Sequence, residues 1–165
     1  MEYKLFDKAH SHNLEFYKDR LMADHINQGD HRPRLLQVAD EVIELSKLPE
    51  IKTIGDFGCG NGGLISHLQD KVNQKVYGYD LQPSNVNFAQ SKERPVELKD
   101  FINEEVEYPD LMICTETLEH LVSPHNFLKK VSKKTKYIVA STPGYETESF
   151  HAPFHLWVWT DDSFK

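Results

Sequence analysis

The chain has 165 residues, with 19 Lys and Arg against 26 Asp and Glu for a formal charge of −7, and is 39% hydrophobic and 11% aromatic. That is enough apolar material for the core of one soluble domain, which excludes disorder as the main state and disfavours a two-domain enzyme. No run approaches the roughly 18 apolar residues of a membrane span, and two cysteines make neither a disulfide framework nor a four-cysteine zinc site.

Met1-Glu2-Tyr3-Lys4 lacks the apolar core of a secretory signal, so the cytoplasm is the expected compartment, without membrane contact. Net negative charge disfavours non-specific grip on long nucleic acid. In the first 30 residues Tyr3, Leu5, Phe6, Leu14, Phe16 and Tyr17 are scattered among charges, which suggests helices capping something, and Asn27-Gln28-Gly29-Asp30 reads as a loop. From Arg32 to Leu48 the apolar positions Leu35, Val38, Val42 and Leu45 recur at helical spacing, with Pro33 suited to a first turn. Residues 1–48 are therefore expected to form an N-terminal helical cap segment, and 49–165 the core of the same domain.

After Pro49 the pattern alternates. Ile51 to Phe57 reads as a strand running into Gly58-Cys59-Gly60-Asn61-Gly62-Gly63, and helical spacing resumes from Leu64 to Val72. A second strand is expected over Lys75 to Tyr79 and ends at Asp80, followed by a helix over Asn85 to Ser91. A third covers Val96 to Leu98 before Asp100-Phe101, and a fourth Asp110 to Cys114. A helix over Pro124 to Lys133 and a fifth strand over Tyr137 to Ser141 complete the alternation. Strands alternating with helices imply a Rossmann-like parallel sheet with helices on both faces, whose ligands belong at the carboxyl ends of the strands.

The densest signal is Asp56-Phe57-Gly58-Cys59-Gly60-Asn61-Gly62, with Asp80 20 residues after Gly60. Glycines allow positive φ and close approach of backbone to a ligand, while an acidic residue at that distance is placed to accept hydrogen bonds from both hydroxyls of a ribose. The bare glycine pattern also suits a tight strand-to-helix corner, and Asp80 also suits a helix cap. With Asp56 before the glycines, the segment resembles the first motif of the class I S-adenosylmethionine-dependent methyltransferases, and the resemblance runs from about Ile51 to Thr160. It implies a sheet of strand order 3-2-1-4-5, counted from the strand at Ile51, and S-adenosyl-L-methionine as cofactor. It further implies that Asp56, Gly58, Cys59 and Gly60 hold the methionine part, Asp80 the ribose, and Leu81, Asp100 and Phe101 the adenine. Cys114, with Thr115 and Glu116, would lie near the sulfonium.

A second constellation is Glu116, Glu119 and His120, which on a helical turn face one way, with His151 and His155 further on. Two carboxylates and two imidazoles converging there would suit Mg²⁺, Mn²⁺ or a similar cation, with Glu116, Glu119, His120 and His155 as ligands. Glu119, His120 and His155 serve equally as a metal-free base and its supports. The Glu-x-x-Glu-His pattern resembles the small-RNA 3′-terminal 2′-O-methyltransferases and the O-methyltransferases of ubiquinone biosynthesis. The resemblance thus implies methylation of an oxygen, most simply on a small-molecule acceptor, with RNA as the alternative acceptor. A non-catalytic S-adenosylmethionine-binding or partner module is the alternative of a different class. Tyr145, Phe150, Phe154, Trp157, Trp159 and Phe164 read first as packing and second as a stacking surface. Lys129, Lys130, Lys133, Lys134 and Lys136 favour an anionic substrate only if they border the pocket. Members of this family continue past the Trp-Thr segment with strands 6 and 7. The sequence stops at Asp161-Asp162-Ser163-Phe164-Lys165, so those strands are expected to be missing and the fifth strand's edge to be covered by a homodimer or a partner subunit.

Overall fold

The computed structural model describes residues 3–5, 25–27, 29, 31–147, 150, 152 and 154–160. Its elements, in chain order, are β1 (Tyr3–Leu5), α1 (Arg32–Ser46), β2 (Thr53–Phe57), α2 (Gly63–Gln69), β3 (Lys75–Asp80), α3 (Pro83–Ser91), β4 (Val96–Leu98), β5 (Leu111–Thr115), α4 (Pro124–Val131), β6 (Tyr137–Ser141) and β7 (Trp157–Trp159). Single 3₁₀ turns lie at His25–Asn27 and Leu118–His120. Among the described residues no helix is long and apolar enough to cross a membrane.

Five parallel strands form the main sheet in the order β4-β3-β2-β5-β6, which is the expected 3-2-1-4-5. The central strands are buried on both faces, so their sequences carry no polar alternation, yet their side chains still divide by parity. Ile54, Val76, Leu111 and Ile113 enter one core with Leu35, Val38 and Val42 of α1, Ile65 and Leu68 of α2, and Val86 and Ala89 of α3. Phe57, Tyr77, Tyr79, Met112 and Cys114 enter a second with Phe127 and Val131 of α4 and the segment Leu156, Trp157 and Trp159. Helix α1 thus shares a core with the sheet. Among the described residues, three of the four α-helices carry proline in the first turn, where the missing N–H has no intrahelical partner to lose.

The chain ends differ from expectation. Residues 3–5, expected to be helical, form β1, which pairs antiparallel with β7 in a separate two-stranded sheet, Lys4 opposite Val158. The segment Trp157–Trp159 is buried and lies outside the five-stranded sheet. Leu14, Phe16, Tyr17, His151 and Phe164 lie outside the described residues.

Gly78 is the tightest point of the β3 packing. A Cβ there would come to 2.5 Å from Ile65 Cδ1 and 2.7 Å from Cys59 Sγ, so the strand approaches the glycine loop and α2 only because this residue has no side chain. Gly78→Ala is expected to destabilise the fold by about 1–3 kcal/mol in urea unfolding. A loss below about 0.5 kcal/mol would show that the loop yields to the methyl group.

Candidate functional site

Because the five strands are parallel, Asp56, Asp80, Asp100, Glu116 and Ser141 all arrive at one edge of the sheet. The loop after β2 is built on backbone that glycine adopts readily: φ is 84° at Gly58, 54° at Gly60 and 71° at Gly62. The Gly58 and Cys59 N–H groups both donate to the Tyr79 carbonyl, at 2.8 and 3.2 Å. The Gly60 N–H donates to Asp80 Oδ2 at 2.8 Å. A side chain at Gly58 would collide with the Thr117 hydroxyl, so the loop is packed directly against the turn that follows β5. Arg94 supports the loop from outside by donating to the Asn61 carbonyl at 2.9 Å.

Asp80 is 7% exposed. Besides Gly60, it accepts from the Gln82 N–H at 2.9 Å and from Asn85 Nδ2 at 3.2 Å, both through Oδ1. Burial raises its pKa while these hydrogen bonds lower it, and burial prevails. Asp56 is 2% exposed, and its Oδ1 is buried with no hydrogen-bond partner. Burial first, and the Asp80 charge second, push its carboxyl up to about 7. This buried acid beside a glycine loop, with one oxygen lacking a donor, suits a cationic group that would supply it.

The remaining cofactor candidates are placed as follows. Leu81 is half-buried beside Asp80. Asp100 closes its own turn, accepting from the Ile102 and Asn103 N–H groups and from Asn103 Nδ2. Phe101 packs into the second core, its ring 5.2 Å from that of Phe57 and 5.6 Å from that of Phe127. Cys59 lies against Gly78, and Cys114 is fully buried with its thiol pushed up by burial, so both sulfurs face packing.

The second constellation assembles without one expected member. Glu116 has φ 50°, in the left-handed region, and the 3₁₀ turn begins only at Leu118. Its carboxylate turns away to accept from Ser141 Oγ at 3.0 Å and to pair with Arg34 at 3.2 Å, which clips α1 to the ends of β5 and β6. Glu119, His120 and His155 do converge, with candidate ligand atoms all within 4.8 Å of one another. Glu119 is fully buried, and neither carboxylate oxygen has a partner. Burial, and then the Glu116 charge, hold its pKa well above the usual range. Burial and the neighbouring His155 lower His120 to about 4, so its imidazole is neutral at pH 7. The Leu156 N–H donates to the Glu119 carbonyl at 2.7 Å and Trp157 Nε1 to the Leu121 carbonyl at 2.8 Å, docking the C-terminal segment on this turn.

The lysines lie elsewhere. Lys136 pairs with Asp110 at 2.7 Å, and Lys130 and Lys134 sit over the Tyr108 ring, at the amino ends of β5 and β6. Lys134 and Lys136 thus lie at the end of the sheet opposite the site, while Lys130 also lines a cleft with Ile102, Leu121 and Phe127. Glu146, which hydrogen-bonds His155 at 2.6 Å, and Arg34 acquire their places only through tertiary contact and carry no motif.

The profile of a family described as "Methyltransferase domain" matches residues 29–163. Among curated proteins the chain is 25% identical to ajmaline N-methyltransferase of Rauvolfia serpentina over 118 residues, 62% of this chain and 40% of the relative. It is 32% identical to a ubiquinone biosynthesis O-methyltransferase of Proteus mirabilis (strain HI4320) over 94 residues, 52% of this chain and 38% of the relative. The chain thus spans less than half the length of these relatives. Coclaurine N-methyltransferase bound to N-methylheliamine and SAH shares the fold, with a TM-score of 0.63 at 18% identity over 84% of this chain and 49% of that one. The N-methyltransferase NodS from Bradyrhizobium japonicum WM9, in complex with S-adenosyl-L-homocysteine, also shares it, with a TM-score of 0.56 at 18% identity over 74% and 65%.

An acid whose folded pKa is raised destabilises the fold once ionised: the ligand-free chain is expected to lose stability as pH rises from the ordinary 3.8 through about 7. Asp56→Asn should therefore raise thermal stability at pH 8 by on the order of 2–4 kcal/mol, and by progressively less toward pH 4. Calorimetric melting of both proteins across that range checks this, and a stability gap that does not change with pH would contradict it.

Proposed function

The chain belongs to the class I S-adenosylmethionine-dependent methyltransferase family, and we propose that it binds S-adenosylmethionine across the carboxyl ends of β2 and β3 and transfers the methyl group to an oxygen of a small-molecule acceptor. The observation that carries the reading is the unpartnered, buried Asp56 oxygen beside a loop of three left-handed glycines. The cofactor's ammonium group is the cation that would complete Asp56, and its ribose hydroxyls are the donors suited to Asp80.

Methyl transfer forms a bond from the acceptor oxygen to the methyl carbon and breaks the bond from that carbon to sulfur, whose pair neutralises the sulfonium. The protein must hold oxygen, carbon and sulfur in line, and the acceptor hydroxyl must lose its proton. Glu119 and His120 stand on the turn that packs against the glycine loop, with His155 of the C-terminal segment beside them, and the neutral His120 imidazole can accept a hydrogen bond from that hydroxyl. The same three residues fit a divalent ion, since both Glu119 oxygens lack partners and both histidines direct Nδ1 at protein oxygens. Two imidazoles and one carboxylate suit Mn²⁺ better than the harder Mg²⁺. When bound there, such an ion would lower the pKa of an acceptor oxygen. Glu116, committed to Arg34 and Ser141, is not part of that donor set.

A small acceptor is favoured over RNA by the placing of Lys134 and Lys136 at the amino ends of β5 and β6, away from the site. Curated relatives named for N-methylation and for O-methylation both match this chain, and the acid-and-imidazole cluster, able to accept a hydroxyl proton, supports the oxygen.

Titration with S-adenosylhomocysteine and methyl-transfer assays against pooled hydroxyl, amine and RNA acceptors, with and without chelator, test the proposal. Asp80→Asn is expected to weaken cofactor binding at least about tenfold by losing one carboxylate oxygen and loosening Gly60. Glu119→Gln should leave that affinity within about threefold and lower transfer to a hydroxyl by roughly 10²–10⁴. Unchanged affinity in the first variant, or full activity in the second, would contradict the assignment.

A further inference from the structure

Both histidines of the cluster have one ring nitrogen already committed. His120 Nδ1 lies 3.2 Å from the Phe154 carbonyl oxygen, which can only accept, so Nδ1 carries the proton and Nε2 keeps its lone pair. His155 Nδ1 lies 2.6 Å from Glu146 Oε2. The two imidazoles meet edge to face, with ring centres 4.7 Å apart, beside the unpartnered Glu119 carboxylate.

We infer that Glu146 is a positioning residue: it fixes the tautomer of His155 and aims the free Nε2 at the gap shared with Glu119 and His120, where the acceptor oxygen would react. Its side chain is 4% exposed, a buried position that an acidic residue occupies only with partners. The partners account for both oxygens. Oε1 accepts the Ala152 N–H at 3.0 Å, and Oε2 takes the His155 Nδ1–H. Glu146 thereby closes the segment from β6 to His155, which is also drawn together by the Thr147–Phe150 bridge and by the His155 N–H donating to the Ala152 carbonyl. A carboxylate behind a histidine orients the ring and makes its far nitrogen a better acceptor, whether that nitrogen meets a proton or a metal. The inference deepens the methyl-transfer reading and rests on it for the identity of the reacting group.

Glu146→Gln is a discriminating variant because the amide has one acceptor oxygen for two donors. If that oxygen keeps the Ala152 N–H, the amide nitrogen faces His155 Nδ1 and drives the ring proton to Nε2. The readouts are the His155 tautomer from long-range ¹⁵N–¹H NMR of the full chain, and kcat and KM for methyl transfer. The expected results are an Nδ1–H tautomer in the unaltered protein, an Nε2–H tautomer in the variant, and a kcat lowered about 10–100-fold with the KM for S-adenosylmethionine within about twofold. Glu146→Asp, which keeps the charge, should retain the Nδ1–H tautomer. An Nε2–H tautomer in the unaltered protein, or a Gln variant with unchanged tautomer and kcat, would overturn the inference. The tautomer is read without turnover, so a chain that transferred no methyl group would defeat the functional proposal while the role of Glu146 toward His155 was still decided.

Discussion

The hydrogen bond from the Gly60 N–H to Asp80 Oδ2, 2.8 Å long, joins the two halves of the proposed cofactor site. It ties the loop after β2 to the end of β3, and so holds the run of glycines against that strand. Everything around it maintains that distance. The Gly58 and Cys59 N–H groups hang on the Tyr79 carbonyl, one residue before Asp80, and the bare Cα of Gly78 lets the loop settle onto the strand. The parallel sheet makes the arrangement possible, because only parallel neighbours deliver their carboxyl ends to the same edge.

That geometry carries an electrostatic cost. Two carboxylates are drawn out of water beside each other, and only Asp80 is well supplied with donors. Asp56 keeps an unpartnered oxygen, and the stability lost on ionising it is recoverable by a cation of the right shape. The same economy recurs at the end of β5, where Glu119 is buried without partners between two histidines whose outer nitrogens are already occupied. The two sites touch through Thr117, whose hydroxyl fills the space that a Gly58 side chain would need. A ligand bound over the glycines and a group reacting near His120 and His155 would therefore share one wall.

Much of this was legible in the sequence because buried parallel strands and glycine loops leave strong local marks. The five strands and the Asp56-to-Asp80 span follow from apolar runs and from breaks at glycine and proline, while the strand order is what the family resemblance implies. What failed to show locally was decided by long-range contact. The three-residue strands β1 and β7 have no alternation to read and exist as a pair only because distant segments meet. Glu116 has the spacing to join Glu119 and His120 on a regular helical turn, but its left-handed backbone and the Arg34 pair redirect it. Glu146 has no motif at all, and its importance lies entirely in the 2.6 Å contact with His155. Phe101 follows the third sheet strand as expected, yet its ring is taken up by the aromatic core.

If Asp56 receives a cation from the cofactor, the affinity for S-adenosylhomocysteine must depend on pH. The free protein holds Asp56 protonated below about 7, and the bound ammonium group would favour its ionised form. Calorimetric titrations between pH 5.5 and 7 should show affinity rising with pH, by as much as about tenfold per unit, with a proton released on binding. Affinity that is flat over this range, with no proton released, would contradict the account.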